Sequence, residues 1–326
     1  SIQAVKSSLA GDDVRLMPLY GGLSLADQER VLTREQQGSR RVIFSTNIAE
    51  TSLTIEGITG VIDSGLERRL CYDPVSDMTR LETVRISKAS ATQRAGRAGR
   101  LGPGDCWRLW PFSTHSALED YQPVEVCEAD LTGCLLELFA WGLSDVAQIP
   151  WITSPPNAHV QVACQSLRRL GLIDDKNQLL GQAEKIAALG VSPRMGAMLL
   201  YAMSGASALS EVSATSPNNG DDVLNTACRV AAIVGERDIF YGRHSIDFDL
   251  RLVALNAYQR DKNAALKQYP LNQAAVVDAL KTAGNLYRRL CGKQLQPMTA
   301  LVEQSQWLGE LLLYAFPDRL AKRRGQ

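Results

Sequence analysis

The chain has 326 residues, enough for two or three domains that each bury a core. Hydrophobic residues make up 45% and charged residues 21%, the profile of an ordinary soluble globular protein, and no apolar run reaches the roughly eighteen residues that span a bilayer. Lys+Arg and Asp+Glu are equal at 35 each, so net charge by itself does not argue for a nucleic-acid partner.

The N-terminal part alternates strand and helix patterns, as α/β domains do. Residues 14–20 read as a strand closed by Gly21-Gly22. Ser24 then caps a helix with Leu25, Val31 and Leu32 on its apolar side. Residues 41–46 form a second strand and 58–62 a third. Alternating character across 67–86 predicts a β-hairpin, and strands over 105–110 close the domain. After Pro111 the composition changes, and from Asp130 onward the pattern is nearly all helical. A break at Pro155-Pro156 precedes a helix over 158–170, Gly171, and a strand–turn–strand over 172–180. That order suits a small winged-helix unit. Residues 181–202 read as helix interrupted at Pro193, and 213–222 as a loop. Helices resume up to a basic tail at Arg319, Lys322, Arg323 and Arg324, which reads as solvated. The expected division is 1–115, 116–180 and 181–326.

The seven cysteines form no C-x-x-C pair and sit mostly among apolar neighbours, which fits reduced thiols in a cytoplasmic protein. His115, His159 and His244 are not spaced as metal ligands, so no metal site is expected. The chain starts mid-pattern without an initiator Met, which suggests a piece of something longer.

Charge is unevenly placed. Arg85, Lys88, Arg94, Arg97, Arg100 and Arg108 crowd one stretch with Asp105 as its only acid. A solvated face is the ordinary reading of such a cluster. Within it, however, lies Gln93-Arg94-Ala95-Gly96-Arg97-Ala98-Gly99-Arg100. On a helix Gln93, Arg97 and Arg100 fall at i, i+4 and i+7 on one face, a forked donor surface suited to a polyphosphate. The glycines cost a helix about 1 kcal/mol each and argue for close approach by another surface. This segment resembles motif VI of superfamily 2 helicases, and the preceding 87–92 is similar to the DEAH-box branch. The resemblance implies that Gln93, Arg97 and Arg100 reach across a cleft to ATP phosphates held on a first motor domain. There the arginines act as fingers in phosphoryl transfer.

Residues 44–55, Phe-Ser-Thr-Asn-Ile-Ala-Glu-Thr-Ser-Leu-Thr-Ile, follow a strand and so lie at the carboxyl end of the sheet. Hydroxyls and an amide there can donate to phosphate oxygens without base preference, or simply cap a helix. The run resembles motif V of the DEAH family. That implies nucleic-acid backbone contacts from Thr46 and Asn47, with Thr54 and Glu56 near the nucleotide and Asp63 in the neighbouring strand completing that set. Position 56 is usually Asp in the family, so Glu56 is a departure. Leu19-Tyr20-Gly21-Gly22-Leu23-Ser24 resembles motif IV, which implies strand contacts at Gly21 and Gly22, although a Gly-Gly turn is commonly just a turn. Leu32 stands where several eukaryotic relatives carry an aromatic that stacks on adenine.

The hairpin, between motifs V and VI, is similar to the one DEAH-type helicases use on nucleic-acid strands. Residues 130–202 resemble the winged-helix and helical-bundle region after the motor, including Ser192-Pro193-Arg194-Met195. Beyond residue 206 the likeness is to the bacterial HrpB-type branch. The implied fold is an α/β RecA-like second motor domain followed by a mostly α winged-helix and helical-bundle domain. No G-x-x-x-x-G-K-[ST] and no Asp-Glu-x-His occurs in the 326 residues. The expectation is therefore a second half-motor of an ATP-dependent helicase, inactive alone. ATP with Mg would be held mainly by a first motor domain this chain lacks. The implied partner is single-stranded nucleic acid, RNA favoured over DNA, with protein partners through the helical region and no membrane. Two other readings stay open: a truncated nucleic-acid-binding or regulatory module, and an interaction scaffold.

Overall fold

A computed structural model describes residues 5, 14–33, 40–51, 55–100, 102–208, 219–242, 246–298 and 304–321. They fall into two compact units, Ser1–Ala129 and Asp130–Gln326.

In the first unit, β1 (Val14–Leu19) leads through a Gly-Gly turn into α1 (Leu25–Leu32). Ser24 accepts from the Asp27 amide at 3.2 Å, the cap its position in the sequence calls for. β2 (Arg40–Ser45) returns parallel to β1 with Leu19 opposite Ser45, and one helical turn follows, α2 (Ile48–Thr51). β3 (Gly60–Asp63) pairs in parallel with a later strand, and a hairpin intervenes: β4 (Leu66–Asp73) antiparallel to β5 (Met78–Arg85). Its turn is closed by Asp73, whose carboxylate accepts from the Val75 amide at 3.0 Å and the Ser76 hydroxyl at 2.6 Å. α3 (Lys88–Ala95) is capped by Ser87, and β6 (Asp105–Arg108) then lies beside β3, with Asp63 opposite Arg108. A short α4 (Phe112–Ser116) follows. The described strands thus form two parallel pairs and one hairpin. The strand expected over 105–110 stops at Arg108, where the Leu109 amide closes onto the Asp63 carbonyl at 2.9 Å.

Two glycines make these approaches possible. A Cβ on Gly104 would meet the Ala98 carbonyl oxygen at 2.3 Å and that of Thr59 at 2.8 Å, so only glycine lets the chain pass beneath the turn after α3. Gly65, with φ +71°, leaves room for the Trp110 ring, 2.7 Å from where its Cβ would stand.

The first unit extends past the expected boundary at residue 115. The Lys88 amide donates to the Glu119 carbonyl at 2.8 Å, the Ala89 amide to that of Asp120 at 3.0 Å, and the Tyr72 amide to that of Glu128 at 3.1 Å. Gln122 also donates to Glu67 at 2.9 Å. Residues 119–128, which fall in the second of the expected divisions, are thus stitched to the hairpin and to α3.

The second unit is helical: α5 (Thr132–Ala140), α6 (Asn157–Arg169), α7 (Ala183–Leu189), α8 (Pro193–Ala208), α9 (Asn219–Gly235), α10 (Phe248–Arg260), α11 (Lys262–Gln268), α12 (Gln273–Cys291) and α13 (Gln304–Ala315). Between α6 and α7, Ile173 and Leu179 form an antiparallel bridge. Asp174 closes its turn, accepting from the Lys176 and Gln178 amides at 2.8 Å each, and Asn177 takes φ 60°. The interruption expected near Pro193 is made by Gly190, left-handed at φ 71°, with Pro193 opening α8. Residues 219–222, expected as loop, open α9. Asn and Asp serve both loops and helix starts, so composition could not separate them; residues 213–218 lie outside the described set.

Met198, Leu199, Ala227, Cys228, Leu252, Leu255, Val276 and Ala283 are fully buried at the centre of this unit. Arg194 reaches Asp318 at 2.6 Å and the Ala315 carbonyl at 3.2 Å, tying the start of α8 to the end of α13. No single described helix is long and apolar enough to cross a membrane.

Candidate functional site

Parallel pairing of β1 and β2 puts their carboxyl ends side by side. The Thr46 amide donates to the Leu19 carbonyl at 3.1 Å, so Gly21-Gly22 after β1 and Thr46-Asn47 after β2 share one edge of the first unit. All four residues are exposed, and Tyr20 beside them is 45% exposed. The Ser45 hydroxyl turns back to the Thr46 carbonyl at 2.8 Å.

The arginine segment differs from the continuous helix that its spacing predicts. α3 ends at Ala95, and Gly96 to Gly99 wind on as tighter turns, with the Arg97 amide on the Arg94 carbonyl and the Ala98 amide on that of Ala95, each at 3.1 Å. Glycine is a poor helix former, and here it tightens the backbone at the helix end. The three expected residues still converge: Gln93, Arg97 and Arg100, with Gly96 and Glu50, line an open depression of about 310 Å³. Gln93 and Arg100 are exposed. Arg97 is half-buried and donates from Nε to the Glu50 carbonyl at 3.0 Å, and from Nη2 to the same oxygen.

Arg94, the arginine of this segment that the spacing leaves off the shared face, turns inward. It donates from Nε to Glu50 at 2.9 Å, and from Nη1 to Asp63 and to the Leu66 carbonyl at 3.1 Å each. Glu67 lies 3.9 Å from Nη2. Three acids from β3, β4 and α2 thus surround one guanidinium. Burial alone would lower Arg94, but its bonds to Glu50 and Asp63 outweigh that and hold it above its ordinary value. Burial pushes the Glu67 carboxyl up, against the pull of Arg69 and Arg94 and with the Glu50 charge adding to the rise.

Asp63, expected from the resemblance to complete the nucleotide set, lies inside the unit. It is 4% exposed, and one carboxylate oxygen accepts from Arg94 and from the Gly65 amide at 3.0 Å. It serves as an internal counter-charge to Arg94. Glu56 is exposed on a turn whose carbonyl accepts from Arg41 Nη2. Thr54 lies outside the described residues, and Leu32 ends α1 half-buried. Sequence reasoning missed Glu50 and Arg94 as partners. The signal was available: an acid inside the 44–55 run and a base inside 93–100, neither placed on its segment's expected ligand face.

Residues 2–102 match the family model described as helicase conserved C-terminal domain. The ATP-dependent RNA helicase HrpB of Escherichia coli K12 is 38% identical over 100% of this chain and 35% of HrpB. A crystal structure described as that of Escherichia coli DEAH/RHA helicase HrpB superposes with a TM-score of 0.74, covering 100% of this chain and 36% of that one. The chain belongs to the DEAH-box helicase family.

A probable ATP-dependent RNA helicase of Homo sapiens, DHX34, is 40% identical over 185 residues, 57% of this chain and 16% of DHX34. This DEAH-box chain therefore spans about a third of HrpB and less of DHX34. Its first unit carries the RecA-like C-terminal helicase domain.

Proposed function

We propose that the chain supplies the second half of an ATP-driven motor that moves along single-stranded nucleic acid, with RNA favoured over DNA. The observation that carries this is the convergence of Gln93, Arg97 and Arg100 on one open depression. Two guanidinium forks, which only donate, and the NH2 of the Gln93 amide suit the oxygens of a triphosphate. In phosphoryl transfer negative charge spreads over the group in flight, and donors already aimed at it stabilise that charge without reorganising. The carboxylate on the wall, Glu50, is committed to Arg94. We therefore assign Mg²⁺ to the first motor half that holds the nucleotide. The residues for strand contact are Thr46 and Asn47, with the Gly21-Gly22 turn beside them. Exposed amides, hydroxyls and backbone at a strand end grip phosphates regardless of base.

We also assign a winged-helix role to the α6 helix and the 173–179 bridge, with a finer division near residue 180 of the kind the sequence suggests. The later helical bundle is the surface for protein partners. The described cysteines are all free thiols, which supports a cytoplasmic setting.

The test joins the chain to a first motor domain and measures strand-stimulated ATP hydrolysis. Arg97→Ala and Arg100→Ala are each expected to lower kcat by about 10²–10³. Hydrolysis that never appears on joining, with strand binding intact, would support a nucleic-acid-binding module in place of a motor.

A further inference from the structure

The exposed strand-contact turn and the arginine turn are joined through one buried residue, Glu50. Its amide donates to the Asn47 carbonyl at 2.9 Å, so it stands one turn beyond the strand-contact pair. Its carboxylate accepts from Arg94 Nε at 2.9 Å, while its carbonyl takes both Nε, at 3.0 Å, and Nη2 of Arg97. Two donors of one planar guanidinium converging on a single oxygen set the orientation of that plane.

We propose that Glu50 is a positioning residue that couples nucleic-acid contact at Thr46 and Asn47 to the orientation of Arg97. The proposal rests on the motor reading above, in which Arg97 is a finger and Thr46-Asn47 hold the strand. α2 is a single turn (Ile48–Thr51), so a load on Asn47 reaches Glu50 across one hydrogen bond. A displacement of α2 by about an ångström takes a 3.0 Å bond past hydrogen-bonding range, so Arg97 must either follow the Glu50 carbonyl or be released from it. The carboxylate anchors this link. Arg94 is held by buried Asp63 and by the Leu66 carbonyl, so the Glu50–Arg94 pair references α2 to the body of the unit.

The experiment is hydrogen–deuterium exchange on the 326-residue chain, free and saturated with an oligouridylate, read in peptides covering 44–51 and 88–100. Saturation is verified separately for each variant. In the wild type, strand binding changes exchange in both windows. In Glu50→Gln, which keeps the backbone carbonyl and the side-chain volume, the strand-dependent change at 88–100 falls about tenfold, because the charge-assisted anchor is gone. A change confined to 44–51 in the wild type overturns the coupling. So does a change at 88–100 that persists undiminished in Glu50→Gln. No change at 44–51 in the wild type instead overturns the strand-binding reading itself, a failure told apart by its window. Should Glu50→Gln unfold, the wild-type comparison still decides whether strand binding reaches 88–100. Arg94→Lys, which keeps the charge but loses the fork, then supplies the second variant.

Discussion

Arg94→Met removes the one cation shared by Glu50, Asp63 and Glu67, acids that are 8%, 4% and 7% exposed. Breaking a buried pair by deleting one partner costs about 3–5 kcal/mol, because the remaining charge has lost its counter-ion in a poorly solvated place. Here the Arg94 side chain is 15% exposed, and Arg69 lies 3.9 Å from Glu67, so some compensation remains. We therefore expect the lower end, about 3 kcal/mol, from a domain whose whole stability is about 5–15 kcal/mol. With a urea slope near 2 kcal/mol per M, the midpoint of the first unit falls by about 1.5 M. The assay is urea unfolding read by hydrogen exchange in peptides from residues 14–129, which isolates the first unit from the helical one.

The loss also has a pH signature. Glu67 is already raised in the folded state, and a raised carboxyl contributes stability that is present below its unfolded value and lost as pH rises through the folded one. Arg94 is one of the charges pulling Glu67 down, so its removal raises Glu67 further. The deficit of Arg94→Met must then be larger at pH 7.5 than at about pH 5. A deficit below about 1 kcal/mol would refute the reasoning, and so would one that does not shrink in mild acid.

Gly104→Ala places a methyl 2.3 Å from the Ala98 carbonyl oxygen, which forces a backbone shift and is expected to cost about 1–3 kcal/mol in a thermal melt. Gly99→Ala, with nothing within 4 Å, should leave the melt within about 0.5 kcal/mol. Thr46→Ala and Asn47→Ala should each weaken oligouridylate binding about tenfold, as expected for a lost bond to a charged phosphate. Neither side chain carries charge, so the slope of log affinity against log salt should stay unchanged, whereas an arginine contact would flatten it by about one.

Local chemistry made the elements of the first unit legible. β-rich runs closed by Gly-Gly at 21–22 or by Ser-Thr-Asn at 45–47 mark strand ends whatever lies beyond them. A Ser before an apolar-periodic run marks a helix start, as Ser24 does. The candidate site was legible for the same reason: Gln93, Arg97, Arg100, Thr46 and Asn47 are donors set by local spacing and need no burial to be recognised. The end of α3 was less so, because glycines at 96 and 99 tolerate both a helix and tighter turns.

What only the tertiary structure decided concerns charges that change meaning when buried. The resemblance puts Asp63 beside the nucleotide and the spacing leaves Arg94 off the donor face, yet the two pair inside the unit together with Glu50 and Glu67. The composition change after Pro111 looks like a domain boundary, yet the backbone carbonyls of Glu119, Asp120 and Glu128 and the Gln122 side chain close the first unit. Sequence by itself determined which segments are strands, helices and donor-bearing turns, because those follow from residues a few positions apart. Which acid meets which base was settled by parallel pairing of β1 with β2 and β3 with β6. That pairing brings together residues as distant as Glu50 and Arg94, and no local spacing encodes it.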